Sequence, residues 1–167
     1  MAAAIAESAG RDDINMWVTV PGRLARHQGV FGFLADRLPV RFLGDGLGDA
    51  AVALEVVRKV WPRVLGHQTA PCDFVLDHAC GRERVVSPRP ALVTLNFAEG
   101  LVLDAESLPP GVRDSPGDES GLYLLVGSAG DSYGLHVRGD VSRFPDDGVA
   151  EFIGLVRTKM NSIVNAT

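Results

Sequence analysis

The sequence predicts an α/β fold, a mixed sheet with helices on its face, and three stretches carry that prediction. Ile14 to Val20 alternates as a strand with two distinct faces does. Ile14, Met16, Val18 and Val20 fall on one side, and Asn15, Trp17 and Thr19 on the other. Leu122 to Val126 is apolar almost throughout, the pattern of a strand buried on both faces. Val149, Phe152, Ile153, Val156, Met160, Ile163 and Val164 recur at helical spacing and make one apolar stripe. A chain of 167 residues can bury a core of its own, and residues 1–167 read as a single domain.

The remaining elements follow in order. Ala2 to Ala9 reads as the end of a helix, stopped by Gly10. Pro21-Gly22 ends the first strand, and Gly29 to Asp36 reads as a helical turn leading into a short strand from Leu38 to Leu43. Pro39 cannot donate to a ladder, so that strand lies at a sheet edge or begins there. Asp49 is a good N-cap for a helix whose apolar face is Leu54, Val57, Trp61, Val64 and Leu65, with Pro62 expected to kink or restart it. A further helix opens with Pro71 and closes at Gly81, burying Cys72, Val75, Leu76, Ala79 and Cys80. Ala91 to Phe97 reads as a strand, and Ala98 to Ser120 as a long loop rich in Pro and Gly, of a length that in compact domains is usually functional or disordered. Leu122 to Val126 and Tyr133 to Arg138 form a hairpin around Ala129-Gly130-Asp131. Asp146 or Asp147 is expected to cap the last helix, which spans on the order of 28 Å at 1.5 Å per residue.

Composition narrows the function classes. A net charge of −5 disfavours nucleic acid, which calls for a basic footprint. Apolar runs are too short to cross a bilayer, and the alanine-rich start lacks the basic segment of a signal peptide. Two cysteines, Cys72 and Cys80, cannot staple a secreted scaffold, which makes a reducing cytoplasm the simplest compartment. Cys72, His78 and Cys80 lack zinc-knuckle spacing, and no metal site is expected.

Four short strings carry the functional signal: Gly22-Arg23; Gly32-Phe33 leading into Leu38-Pro39-Val40-Arg41; His67-Gln68 with Pro71 behind it; and Phe144-Pro145-Asp146 opening the last helix. In this order and spacing, from about residue 5 to residue 164, the chain resembles the C-terminal half of a nonribosomal peptide synthetase condensation domain. The resemblance implies one lobe of the two-lobed chloramphenicol-acetyltransferase-like fold, whose whole joins two carrier-tethered acyl groups through an amide. It implies structural or tunnel-wall roles for Arg23, Gly32, Phe33, Asp36, Pro39, Arg41, His67, Gln68, Pro71 and Asn96. Two positions depart from the family pattern, with Asp36 where an Asn is usual and Cys72 where a Phe is. The loop of residues 98–120 falls where the family has a latch reaching to the other lobe, and Asn96-Phe97 resembles the strand end before it.

The family's His-His-x-x-x-Asp-Gly string, which supplies the catalytic base, belongs to its N-terminal half and does not occur here. His136-x-x-x-Asp140 is a partial echo, with Leu135 in place of the first His and Val141 in place of the Gly. With four His and fourteen Asp in the chain, one such pair by chance is unremarkable, so His136 and Asp140 are weak catalytic candidates. The resemblance therefore implies a lobe not catalytic alone, a partner lobe on another chain or a parent chain, carrier proteins as partners and their phosphopantetheine arms as tethered substrates. No bound cofactor is expected, and a homodimer is one way to cover the open face. Two alternatives stand beside this: a degenerate, non-catalytic module docking carrier proteins or synthetase subunits, and a small autonomous acyltransferase using His136.

Overall fold

The computed structural model describes residues 1–20, 35–69, 93–99, 121–129, 132–139 and 145–165. Three helices and five strands occur in these residues: α1 (Ala2–Ala9), β1 (Asp13–Val20), β2 (Asp36–Leu43), α2 (Ala50–Gly66), β3 (Val93–Glu99), β4 (Leu122–Ala129), β5 (Ser132–Gly139) and α3 (Asp146–Val164). The strands form one mixed sheet in the order β2-β1-β3-β4-β5. β1 pairs antiparallel with β2 and parallel with β3, β3 pairs parallel with β4, and β4 pairs antiparallel with β5.

The alternation in β1 decides which face is covered. Ile14, Met16, Val18 and Val20 are all buried, and the register carries the same side across to Val40, Leu95, Leu124 and Val137. The three helices lie on this face, and Ala2 to Ala6, Ala53, Phe152 and Val156 join the strand residues in one core. Small alanines let α1 pack closely against β1, α2 and α3, where larger residues would hold it off. α1 ends at Gly10, whose φ of 60° is the left-handed conformation that glycine adopts without a Cβ penalty.

β2 is an edge strand, as Pro39 requires, but Pro39 sits inside it and the strand starts at Asp36, two residues before the expected Leu38. Asp12 ties the turn after β2 back to the start of β1. Its Oδ1 accepts from the Leu47 amide at 2.8 Å, and its carbonyl accepts from the Gly44 amide at 3.1 Å. That turn delivers Asp49, whose carboxylate accepts from the amides of Ala51 and Val52 at 2.9 and 3.0 Å and caps α2. Pro62 does not stop the helix, which runs on to Gly66. Pro62 lacks the N–H that would serve the Arg58 carbonyl, yet it faces solvent, where water can take that role.

Two boundaries correct the expectations. β3 begins at Val93 and continues through Glu99, so the expected loop from Ala98 loses its first two residues to the strand. At α3 the N-cap is Pro145, with no side-chain cap, while Asp146 and Asp147 lie within the first turn and act through their charge on the helix dipole. The expected helix from Pro71 to Gly81 and nearly all of the 98–120 loop lie outside the described residues. Among the described residues, no helix is long and apolar enough to cross a membrane.

Candidate functional site on the second sheet face

The odd-numbered residues of β1 and their partners form the face of the sheet turned away from the helices. Register places Pro39, Trp17, Thr94, Tyr123 and Arg138 in one row across all five strands. Asn96, Leu125 and His136 form the neighbouring row on β3, β4 and β5. This face is graded: Arg41 at the β2 side is exposed, while Thr94 is fully buried and Leu125 is 4% exposed. The near-continuous apolar run in β4 is thus explained, because Leu122 and Leu124 enter the helix-side core and Leu125 is buried on the opposite face.

Polar groups on this face are partly satisfied and partly orphaned. The Asn96 amide donates to the Tyr123 hydroxyl at 2.9 Å, a bond between neighbouring strands. Thr94 Oγ1 and His136 Nε2 are both buried and, among the described residues, make no hydrogen bond. Burial pushes the His136 imidazole below its ordinary range, and the Arg138 charge adds to the effect, both favouring the neutral ring. A neutral imidazole is the form a base needs, but a covered Nε2 cannot reach an attacking nucleophile.

At the β2 side, Arg41 grips Asp13 with two parallel bonds, Nε to Oδ1 at 2.8 Å and Nη2 to Oδ2 at 2.7 Å. The guanidinium, by hydrogen bond first and charge second, holds the Asp13 carboxyl below its ordinary range, and Arg41 is raised in return. The two side chains are 61% and 43% exposed, so water screens the pair. Asp36 accepts from the Arg37 amide at 2.7 Å at the start of the same strand.

Of the residues singled out from the sequence, Pro39, Arg41, Asn96 and His136 therefore share this second face. His67 and Gln68 do not. They close α2 in the helix layer, with the His67 amide donating to the Val64 carbonyl at 3.0 Å and that of Gln68 to Leu65 at 3.3 Å. Arg23, Gly32, Phe33, Pro71 and Asp140 lie outside the described residues, as do Cys72, His78 and Cys80. Sequence reasoning missed Thr94, Tyr123 and Trp17. A hydroxyl residue flanked on both sides by apolar ones, Thr94 between Val93 and Leu95 and Tyr123 between Leu122 and Leu124, was the available signal. No group of three or more metal-ligating side chains occurs among the described residues.

Among the described residues, a five-stranded mixed sheet carries three helices on one face, and this fold matches part of the condensation domains of known structure. The first condensation domain of the CDA synthetase superposes with a TM-score of 0.62 at 18–19% identity in two structures, the first covering 95% of this chain and 36% of its own. A variant of the starter condensation domain of the rhizomide synthetase, in complex with C8-CoA, superposes with a TM-score of 0.68 at 16% identity, covering 95% of this chain and 37% of its own. The PapA2 acyl transferase gives a TM-score of 0.59 at 18% identity, over 97% of this chain and 36% of its own. This chain thus spans little more than a third of each of these proteins. No family model matches the sequence, and no curated protein matches it. The likeness is one of fold, with nearly the whole chain inside it.

Proposed function

We propose that this chain is the C-terminal lobe of an amide-forming condensation domain in nonribosomal peptide biosynthesis, and that it has no catalytic activity alone. The observation that carries this reading is the coverage: 95% of this chain accounts for only 36% of a condensation domain, the proportion of one lobe. The order of the four motif strings and the lack of His-His-x-x-x-Asp-Gly support assignment to the C-terminal lobe.

In this reading the N-terminal lobe, on another chain or the parent chain, supplies the histidine that removes a proton from the attacking amine. The amine then attacks the thioester carbonyl of the second substrate, and the carrier thiol leaves. This chain contributes a wall of the tunnel in which the two phosphopantetheine arms meet. Arg23, Gly32, Phe33, Asp36, Pro39, Arg41, His67, Gln68, Pro71 and Asn96 are assigned there as shaping residues, and residues 98–120 as the latch. Residues 1–167 act as one domain, and a cytoplasmic setting fits both the two cysteines and the carrier-bound substrates.

His136 is not assigned the base. It sits within β5 with Nε2 covered, which weighs against the autonomous acyltransferase.

The test is reconstitution. The chain is mixed with a polypeptide bearing the His-His-x-x-x-Asp-Gly half and two loaded carrier proteins, and amide product is followed by intact-protein mass spectrometry. Product only when both halves are present is the expected result. Product from this chain alone refutes the reading, and carrier binding without turnover in the mixture favours the docking module instead.

A further inference from the structure

A cavity of about 740 Å³ lies between the sheet and the helices, bounded by the start of α1, by α2, by the last turns of α3, and by β1, β2 and β3. Its volume falls within the range of about 300–1,000 Å³ typical of small-molecule sites. Leu54, Trp61 and Leu65 of α2, Leu95 and Phe97 of β3, and Met160 of α3 give it an apolar wall. Water is a poor occupant, because an ordered water needs two to four polar partners and this wall offers few.

Among the described residues that line the cavity, Lys159 carries a charged side chain and Met1 carries an amino terminus. Lys159 lines it with a side chain only 18% exposed, and its ammonium pairs with the carboxylate of Glu7, which is 48% exposed. An apolar chamber with a side-chain cation at its border, held there by a carboxylate, has the complementarity of an apolar chain ending in one anion. At the rim, Phe97 is 52% and Met160 43% exposed, so a flexible thioether and an aromatic ring stand where a chain would enter.

The geometry points to a binding site for a medium- to long-chain fatty acid, its chain in this cavity and its carboxylate on Lys159 in place of Glu7. The site lies inside one lobe, between its own sheet and helices. It needs neither the partner lobe nor the tunnel of the function proposed above, and it stands or falls separately from them.

The experiment uses the purified chain and a dansylated undecanoic acid, whose fluorescence rises in an apolar site, with displacement by dodecanoate or dodecanol below their aggregation limits. Saturable binding and displacement by dodecanoate are expected. Lys159→Gln should weaken dodecanoate by about tenfold or more, the worth of a lost charge-assisted bond, and leave dodecanol unchanged. Glu7→Gln, which frees Lys159, should strengthen dodecanoate. Met160→Trp, at a partly exposed position that leaves the core intact, should weaken both ligands, with circular dichroism confirming the fold. No saturable binding overturns the proposal, as does dodecanoate affinity unmoved by Lys159→Gln and Glu7→Gln. Concentration-dependent self-association that blocks the probe also overturns it, assigning the cavity to a second copy of the chain.

Discussion

The side-chain amide of Asn96 donates to the hydroxyl of Tyr123 at 2.9 Å, fastening β3 to β4 on the face of the sheet opposite α1, α2 and α3. The bond is partly buried, so water can replace it only in part. Tyr123→Phe leaves the Asn96 amide unmatched and should cost about 0.5–1.5 kcal/mol in urea unfolding. Asn96→Ala should cost a similar amount. The double variant should cost less than the sum, and strict additivity would show that the bond contributes nothing.

Thr94 presents the opposite case, a fully buried residue whose hydroxyl has no partner among the described residues. Thr94→Val exchanges that hydroxyl for a methyl of nearly the same shape and keeps the β-branch. We expect a gain of about 1 kcal/mol, because an unmatched polar group leaves the interior. A loss of stability would mean that the hydroxyl is bonded in solution.

His136 sets a pH dependence. Its folded pKa lies below the unfolded value of about 6.5, so the unfolded chain takes up the proton first as pH falls. The stability tied to the neutral ring is fully present above about pH 6.5 and declines below it, until the folded ring is itself protonated. His136→Leu removes this component, and its stability between pH 7 and pH 5 should fall less steeply than that of the parent chain. Equal slopes in denaturant titrations across that window would contradict the assignment.

Leu124 and Val164 should separate core from surface. Leu124 is fully buried on β4, and Leu124→Ala should cost about 2–5 kcal/mol through lost burial and the cavity left behind. Val164 is 70% exposed at the end of α3, and Val164→Ala should change stability by less than about 0.5 kcal/mol. Thermal melts of the two variants read both outcomes.

Periodicity made the sheet legible where one face is apolar. Ile14 to Val20 could be sorted residue by residue, and Pro39 correctly announced an edge. The cap at Asp49 was legible because its side chain reaches two amides within its own turn. At α3 two adjacent aspartates compete for one role, and Pro145, with its fixed φ, took the boundary from both. The passage of α2 through Pro62 was not legible. Sequence shows the missing donor but not the solvent-facing position that tolerates it. The α3 stripe was read as a uniform apolar face, whereas only Phe152 and Val156 are buried, and Met160 borders the cavity.

The second face was the hardest to foresee. Its rows arise from register between strands far apart in sequence, so nothing local links Trp17 with Thr94 or Tyr123 with Arg138. The motif residues fall into two layers for the same reason: Pro39, Arg41 and Asn96 belong to strands, and His67 and Gln68 to a helix end. Resemblance in linear order could not show that division.

The strand order gives the two margins of the sheet different characters. β2 carries Pro39, which has no amide to offer, flanked by the positively charged Arg37 and Arg41. A foreign strand approaching there meets a residue that cannot donate to a ladder. β5 holds no proline and, apart from Arg138, no charged side chain. Among the described strands, the two margins therefore differ: the β5 side, with Tyr133 and Val137, keeps an uninterrupted row of amides, and the β2 side does not.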